Sequence, residues 1–238
     1  MRDSNFILSE GVQELPNEIA LFGGSFNPPH WGHFFVSLKV REAGLPVVIA
    51  PVFWLPHKFA QTEKDLELPN SWYFYKQTGM VPFELRYAMC KEMWKGEENI
   101  WVSDIEKKIA ITNLSPNYTF YTVELLKNYG KKVHLIIGED NAISFDKWYR
   151  SKELLKNIES LWIVKRFGSH NPEKIKLLSK KIKTHFIKEA VDVSATSIRN
   201  WASKRLLKHT SEGVINIIKR YELYGYSTLI TTSFREAQ

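Results

Sequence analysis

The sequence contains little cysteine and no long apolar run. Cys90 is the only cysteine among 238 residues, which excludes an internal disulfide and a multi-cysteine zinc site. We expect it to be a small core residue. The longest apolar run, 47–55, is interrupted by Pro51 and falls well short of the ~18 residues that span a bilayer. Residues 1–18 lack the apolar core of a secretory signal, so we expect a soluble, cytoplasmic protein that does not enter a membrane.

The composition is that of a folded protein with a moderate positive charge. Hydrophobic residues make up 44% of the chain, which excludes a disordered or low-complexity sequence. At roughly 150 residues per domain the length allows one large domain or two small ones, and without a repeat or a clear linker we predict one domain over 1–238. The net charge of +7 favours polyanionic partners, either nucleic acid or phosphorylated small molecules. Because the lysines are scattered, the charge alone does not choose between them.

Short β-type runs alternate with helix-period stretches along most of the chain. The predicted strands are 18–22, 47–53, 100–103, 133–137, 161–165 and 185–187. The predicted helices between them are 32–43, 83–95, 119–129, 151–157 and 172–183. This alternation predicts a Rossmann-like, doubly wound α/β fold, with a mostly parallel sheet and helices on both faces. Ligands bind such sheets beyond the carboxyl ends of the strands.

Three segments fall outside this alternation. The first is an N-terminal extension over 1–17. The second, 59–82, is polar with several aromatic residues, shows no clean period, and is predicted to be a long loop or lid. The third, 194–238, is predicted to be a small helical part that packs on the sheet, with helices over 194–205 and 211–224.

The most informative segment, 23–33, reads GGSFNPPHWGH and directly follows the first predicted strand. Gly23 and Gly24 let the backbone approach a ligand because they carry no Cβ, and two prolines stiffen the turn. A helix that begins near Gly32 offers unpaired N–H groups and a partial positive charge to an anion. The segment therefore predicts a phosphate site.

Two histidines in this segment, His30 and His33, lie three residues apart and can face the same anion. Each imidazole can donate a hydrogen bond, and phosphoryl transfer gains mainly from positioning and charge stabilisation. From the residues alone, two other roles stay open for the pair: capping or core residues at the helix start, and ligands of a metal ion.

A second segment, 193–199, reads VSATSIR and combines hydroxyl groups with an arginine one turn later. On its own it is typical of a helix N-cap, where Ser and Thr are favoured. The same groups would also hold a phosphate, because hydroxyls, free N–H groups and a guanidinium can converge on it.

Together the two segments resemble the signatures of the nucleotidyltransferase superfamily, and specifically those of the nicotinate-nucleotide adenylyltransferase family. The first family signature, Gly-Gly-x-Phe-Asp/Asn-Pro-x-His-x-Gly-His, is matched completely by 23–33. The second, Ile-Ser-Ser-Thr-x-Ile-Arg, is matched by 193–199 except that Val193 replaces Ile and Ala195 replaces a serine hydroxyl. Further matches follow in the family's order: PHK at 56–58, NYT at 117–119 in place of Ser-Tyr-Thr, GED at 138–140, and the tryptophan at 148.

This resemblance implies three sets of site residues. The residues that stabilise the transition state are His30, His33 and Arg199. The residues that bind ATP are Gly23, Gly24, Ser25, Phe26, Lys58, Gly138, Asp140, Ser194, Thr196 and Ser197. The residues that bind the pyridine nucleotide are Asn27, Tyr118, Thr119 and Trp148, of which Trp148 stacks on the ring. Without the resemblance, Lys58 is a solvated loop residue, Asp140 a loop or N-cap acid and Trp148 a core residue. Arg86 also matches a family position, and we interpret it as structural.

The resemblance further implies direct attack by the 5′-phosphate of nicotinate mononucleotide on the α-phosphorus of ATP, giving deamido-NAD and pyrophosphate. Mg²⁺ would arrive bound to ATP, in line with the lack of a dedicated carboxylate cage, and no protein-bound metal is expected. Nicotinamide mononucleotide as the acceptor, a different nucleotidyltransferase such as a phosphopantetheine adenylyltransferase, and a homo-oligomer are left open. A nucleic-acid partner is not expected, because no aromatic RNA-recognition signature accompanies the positive charge.

Overall fold

Parallel strands form the sheet at the centre of the structure. A computed structural model describes residues 12–53, 79–113, 117–165, 171–188, 195–200 and 208–226. Within these ranges the strands are β1 (Glu18–Gly24), β2 (Val47–Pro51), β3 (Ile100–Val102), β4 (Lys132–Gly138), β5 (Ser160–Lys165) and β6 (Thr184–Lys188). Their order is β3-β2-β1-β4-β5-β6, and every neighbouring pair is parallel. The predicted mostly parallel sheet is confirmed.

The central strands are buried on both faces, as expected for a parallel sheet that is covered by helices. β2 is buried along its whole length, and β1 and β4 are exposed only toward their ends. The strand order reverses between β1 and β4, since β2 and β3 lie on one side of β1 while β4, β5 and β6 lie on the other. Ligands of open parallel sheets bind in the crevice beyond the carboxyl ends of the strands at this point.

Helices connect most of the strands. Within the described ranges they are α1 (Trp31–Glu42), α2 (Phe83–Met93), α3 (Ile105–Asn113), α4 (Thr119–Asn128), α5 (Glu139–Ile143), α6 (Ser151–Asn157), α7 (Pro172–Ser179), α8 (Ala195–Asn200) and α9 (Glu212–Arg220). Short 3₁₀ turns occupy Phe145–Lys147 and Leu223–Gly225. The sequence did not predict α3 and α5, because α5 is barely more than one turn and α3 is rich in β-branched residues, which have low helix propensity. No helix in these ranges is long and apolar enough to cross a lipid bilayer.

Two hydrophobic clusters lie on opposite faces of the sheet, because alternate side chains of a strand point to opposite sides. Ala20 and Phe22 of β1 belong to the first cluster, and Ile19 and Leu21 belong to the second. The first cluster includes residues of α1, α2 and α9, namely Val36, Val40, Met89, Cys90, Val214 and Ile218. The second includes residues of α3, α4, α6 and α7, namely Ile105, Ile109, Phe120, Val123, Leu154, Ile175 and Leu178. The predicted helices on both faces and the buried position of Cys90 are confirmed.

The described end of the N-terminal extension packs on this core. Val12 and Leu15 are buried in the second cluster. The Lys131 ammonium donates hydrogen bonds to the backbone oxygens of Gln13 and Leu15. Residues 1–11, 59–78 of the predicted loop, and 201–207 and 227–238 of the predicted C-terminal part lie outside the described residues. The single domain over 1–238 stays a prediction.

Candidate active site

The turn between β1 and α1 is built around the buried side chain of Phe26. Its ring is 1% exposed and packs edge-on against His33, with 4.9 Å between ring centroids. A Cβ atom at Gly24 would lie 3.2 Å from this ring, so the second glycine of the signature leaves room for Phe26. Sequence reasoning assigned Phe26 to ATP. The structure places Phe26 in the core, where its ring packs against His33, and its assignment to ATP stays a prediction.

Arg86 of α2 holds the backbone of the same turn by hydrogen bonds. Its guanidinium is 1% exposed and donates to the backbone oxygens of Val81 and Ser25, at 2.7 and 2.8 Å. Burial lowers the pKa of Arg86 to about 10, so the group is still protonated near neutral pH. Arg86 therefore has a structural role, because it holds the Ser25 carbonyl in place.

Asn27 ties the turn to two other parts of the chain. Its Nδ2 donates to the backbone oxygen of Gly79 at 2.7 Å. Its Oδ1 accepts hydrogen bonds from the backbone N–H of Val81 at 3.2 Å and from the Tyr224 hydroxyl at 2.8 Å. The Asn27 side chain is 4% exposed, and these bonds hold the turn in place. Its assignment to the pyridine nucleotide stays a prediction.

The start of α1 is also anchored by residues that lie near the C-terminus. The backbone N–H of Trp31 donates to the backbone oxygen of His209 at 2.9 Å. The Thr210 hydroxyl, itself 2% exposed, donates to the backbone oxygen of Pro29 at 2.9 Å. The turn is thus bound on one side by α2 and on the other by the segment before α9.

His30 and His33 lie together at the N-terminus of α1. His30 occupies the N-cap position and is 4% exposed, and His33 follows one turn later. Their rings are 3.7 Å apart between centroids and are inclined by 32°. The His30 backbone N–H points to His33 Nδ1 at 3.3 Å, so a neutral His33 carries its proton on Nε2. The Nε2–H group can then donate to an anion at the positive end of the helix.

The second signature reaches the same place through Arg199. Its Nη1 donates to the backbone oxygen of Asn27 at 2.8 Å, and its Nη2 donates to the Thr196 hydroxyl at 3.0 Å. Thr196 and Arg199 both belong to α8. The structure therefore brings the two signatures together. Lys58, Ser194 and the side chain of Ser197 lie outside the described residues.

A cavity of about 670 Å³ opens beside this turn, beyond the carboxyl ends of the central strands, and its size is typical of a small-molecule site. Six of the predicted residues line it: Gly23, Gly24, Ser25, Tyr118, Thr119 and Trp148. A Cβ at Gly23 would meet nothing within 4 Å, so this glycine faces open space. His30, His33, Arg199, Gly138 and Asp140 are not among the lining residues. The histidines and Arg199 thus lie outside the cavity, while the glycines and Ser25 line it.

The wall of the cavity opposite the turn is aromatic. Trp148 stacks on Phe145 with ring centroids 5.1 Å apart and also lines the cavity. Tyr118, at the N-cap of α4, stacks on Tyr149 at 4.6 Å. The Tyr121 hydroxyl lies 3.1 Å from that of Tyr149. Sequence reasoning missed Tyr149, although its position next to Trp148 could have indicated it.

Gly138 and Asp140 lie at the carboxyl end of β4, the strand next to β1. Gly138 is the N-cap of α5, and Asp140 is exposed in the first turn of that helix. This position is at the same edge of the sheet as the signature turn.

Sequence reasoning also missed a buried polar network at the cavity. Glu106 of α3 lines the cavity and is 6% exposed. It accepts hydrogen bonds from Asn117 Nδ2 and from the Thr122 hydroxyl, both at 2.7 Å. Burial raises the pKa of Glu106 to about 7, against the effect of these two hydrogen bonds. In the sequence Glu106 stands among Asp104, Lys107 and Lys108, where it is indistinguishable from a solvated charge.

The sequence model of a family described as cytidylyltransferase-like matches residues 21–201, which is well over half of the chain. The chain belongs to the cytidylyltransferase-like family. The matched region of this cytidylyltransferase-like protein runs from within β1 to the end of α8, and therefore contains both signature segments and the residues that line the cavity.

Two curated relatives of this cytidylyltransferase-like protein carry the same name. The probable nicotinate-nucleotide adenylyltransferase of Thermotoga maritima is 34% identical over 143 residues, which cover 59% of this chain and 58% of the relative. The match thus spans less than two thirds of that relative. The probable nicotinate-nucleotide adenylyltransferase of Thermosipho melanesiensis is 28% identical over 223 residues, which cover 89% of this chain and 98% of the relative.

A solved structure has the same fold as this cytidylyltransferase-like protein. It is the nicotinic acid mononucleotide adenylyltransferase of Plasmodium falciparum complexed with NaAD, with a TM-score of 0.66 and 17% identity. The alignment covers 89% of this chain and 99% of that protein. At this identity the likeness shows the Rossmann-like fold.

Proposed function

We propose that the protein transfers the adenylyl group of ATP to nicotinate mononucleotide, with deamido-NAD and pyrophosphate as products. The contact between Arg199 and the backbone oxygen of Asn27 carries this proposal, because it joins the two phosphate-binding signatures at the edge of the sheet where ligands bind. The names of the two curated relatives agree with it.

In this proposal the triphosphate of ATP lies at the start of α1. The Nε2–H group of His33 and the first N–H groups of α1 stabilise the charge that develops on the α-phosphate. Arg199 stabilises the pyrophosphate as it leaves, helped by Thr196. Lys58, Ser194 and Ser197 stay predicted donors to the same phosphates. Asp140, next to Gly138, accepts from the ribose hydroxyls of ATP.

Nicotinate mononucleotide occupies the neighbouring cavity. Its pyridine ring stacks on Trp148, whose indole already stacks on Phe145 and is thereby held in one orientation. The first backbone N–H groups of α4, at Tyr118 and Thr119, face the ring substituent. Gly23 gives the 5′-phosphate an unobstructed approach to ATP, because no side chain stands there.

The reaction is then a direct displacement. An oxygen of the 5′-phosphate forms a bond to the α-phosphorus of ATP, and the bond from the α-phosphorus to the bridging oxygen breaks. Pyrophosphate leaves with that electron pair. The protein positions the two nucleotides and stabilises charge, which is where phosphoryl transfer gains most of its rate.

Nucleotidyltransferases generally use a divalent metal with ATP, and we propose Mg²⁺ as the cation here. Within the described ranges no group of three His, Cys, Asp or Glu side chains is placed to hold a metal ion. The cation would be carried by the phosphates of ATP and would keep most of its waters. Bound there, the cation would neutralise charge on the leaving pyrophosphate.

The proposal is tested by mixing the protein with ATP and nicotinate mononucleotide and following pyrophosphate and deamido-NAD. We expect turnover, and we expect His33→Ala to lower kcat by roughly 10²-fold, as loss of one preorganised donor commonly does. His185→Gln is the matched control, because His185 stacks on Trp162 at 4.3 Å and is not among the cavity-lining residues. No deamido-NAD from the wild type, or full kcat in His33→Ala, would contradict the proposal. Phosphopantetheine and nicotinamide mononucleotide serve as alternative acceptors in the same assay.

A further inference from the structure

The network of Glu106, Asn117 and Thr122 lies next to the residues that would meet the pyridine substituent. Glu106 and Asn117 line the cavity together with Tyr118, Thr119 and Trp148. Asn117 directly precedes Tyr118, the N-cap of α4, and is 3% exposed. The network therefore adjoins the end of the cavity where a carboxylate and a carboxamide would have to be distinguished.

The hydrogen bonds of the network leave one atom without a partner. Asn117 Nδ2 donates to Glu106 Oε2 at 2.7 Å and to the Thr122 hydroxyl at 2.8 Å, while the Thr122 hydroxyl donates to Glu106 Oε1 at 2.7 Å. Both oxygens of Glu106 thus accept, as suits an ionised carboxylate. The Asn117 Oδ1 atom is buried and accepts no hydrogen bond from any described residue. A buried acceptor that lacks a hydrogen bond favours a ligand that brings an N–H group.

Protonation of Glu106 would reverse this arrangement. A neutral carboxyl group carries an O–H that needs an acceptor, and Asn117 can supply one by rotating its amide by half a turn. The rotation exchanges two groups of nearly equal size, so it needs no extra space. The Asn117 NH₂ group then replaces Oδ1 and offers a donor, which a carboxylate ligand accepts.

We propose that Glu106, acting through Asn117, sets the relative preference between the two pyridine nucleotides: ionised Glu106 shifts it toward the carboxamide, and protonated Glu106 shifts it toward the carboxylate. This inference rests on the proposed function. Direct repulsion works in the same direction, since an ionised Glu106 in the wall of the cavity opposes a second carboxylate.

The charges around Glu106 leave its carboxyl group free to titrate. On its own helix, Lys107 and Lys108 pair with Glu84 and Asp104. β2, which packs against α3, has no titratable side chain, and α4 contributes Tyr121, Glu124 and Lys127. The titratable groups that share the cavity are Tyr118, Tyr149 and Lys147. Burial raises the pKa of Glu106 to about 7 against the lowering effect of its two hydrogen bonds, and none of these charges is among the causes of the shift.

The test is the ratio of kcat/KM for nicotinate mononucleotide to kcat/KM for nicotinamide mononucleotide, measured from about pH 5.5 to about pH 8.5. Titration of ATP and of the shared 5′-phosphate cancels in this ratio, and the pyridine carboxylate stays ionised throughout. We expect the ratio to fall about tenfold as pH rises through the pKa of Glu106. Glu106→Gln should give a ratio that is independent of pH. The matched control is Glu98→Gln, at an exposed position, which should keep the wild-type slope.

The outcomes separate this inference from the proposed function. A flat ratio in the wild type overturns the inference even if no variant folds, and so does a wild-type slope that persists in Glu106→Gln. In both cases turnover of nicotinate mononucleotide leaves the proposed function intact. If neither nucleotide yields pyrophosphate at any pH, the proposed function fails, and the inference fails with it.

Discussion

Arg199 donates a hydrogen bond from Nη1 to the backbone oxygen of Asn27 at 2.8 Å, although 172 positions separate the two residues in the sequence. The guanidinium also donates to Thr196, so its planar group is held by both signatures at once. A lysine would keep the charge but could not keep both bonds while facing a phosphate. We expect Arg199→Lys to lower kcat at least about tenfold, because a charge-assisted hydrogen bond is lost. Steady-state kinetics with ATP and nicotinate mononucleotide measure this.

The control for that variant is Arg220→Lys. Arg220 lies in the last turn of α9, over the ring of Tyr221. Its replacement should leave kcat unchanged. Equal loss of activity in the two variants would contradict the role given to Arg199.

Trp148 is expected to determine the affinity for the pyridine nucleotide. Replacing it by alanine removes the stacking surface, while Phe145 beneath it remains. We expect Trp148→Ala to raise the KM for nicotinate mononucleotide about fivefold, since an aromatic pair contributes about 1 kcal/mol. The KM for ATP should stay unchanged. Trp148→Phe should recover part of the affinity, and a variant in which both KM values rise equally would point to a folding defect.

Arg86 is expected to stabilise the fold through the signature turn. Lysine in its place cannot donate to both the Ser25 and the Val81 oxygens, so one buried carbonyl loses its partner. We expect Arg86→Lys to lower the free energy of unfolding by about 1–3 kcal/mol. Arg41→Lys is the control, because Arg41 forms a partly exposed pair with Glu97 and should cost less than about 1 kcal/mol. Urea denaturation of the three proteins compares them, and equal losses would show that the buried contacts of Arg86 add nothing.

The Tyr224 hydroxyl is expected to stabilise the turn through Asn27. Tyr224→Phe removes one donor to Asn27 Oδ1, which keeps the bond from the Val81 N–H. The expected decrease in the free energy of unfolding is about 1 kcal/mol. Tyr221→Phe, at a side chain that is 40% exposed, should leave stability unchanged. Calorimetry or urea titration that shows no difference between these two variants would contradict this role.

Glu106 should make stability depend on pH. Burial raises its pKa from the ordinary value of 4.5 to about 7, so the folded state binds the proton more tightly than the unfolded chain does. The contribution of Glu106 to the free energy of unfolding is therefore greatest below pH 4.5. It falls as pH rises toward 7 and stays low above pH 7. Glutamine does not titrate. The stability of Glu106→Gln relative to the wild type should rise by about 3 kcal/mol across this window. Denaturant titrations near each end of it measure the change, and a constant difference would contradict the assignment.

The sequence predicts the parts of the molecule that depend on local pattern. Runs of β-branched and aliphatic residues predict the strands of a buried parallel sheet, and the composition of 23–33 predicts the turn between β1 and α1. The roles of individual side chains depend on contacts between distant segments. Nothing in the local sequence shows, for example, that Gly79, Val81 and Tyr224 make hydrogen bonds to the Asn27 side chain.

Glu106 is the clearest case of a residue that sequence pattern could not identify. In the chain it stands close to the charged residues Asp104, Lys107 and Lys108, and its burial results from packing of α3 against β2 and α4. The helix itself is short and rich in β-branched residues, so its existence was not predicted either. A buried carboxyl is visible only after these three elements have been placed in space.

The bonds from His209 and Thr210 to the turn before α1 have a consequence for biosynthesis. The strands at the centre of the sheet leave the ribosome long before these two residues do. The nascent chain can therefore pair β1 with β2 before the turn has its hydrogen bonds to His209 and Thr210. Only when His209 and Thr210 emerge can they close onto Trp31 and Pro29. A polypeptide halted shortly before them would lack both bonds, and the start of α1 would have no anchor on that side.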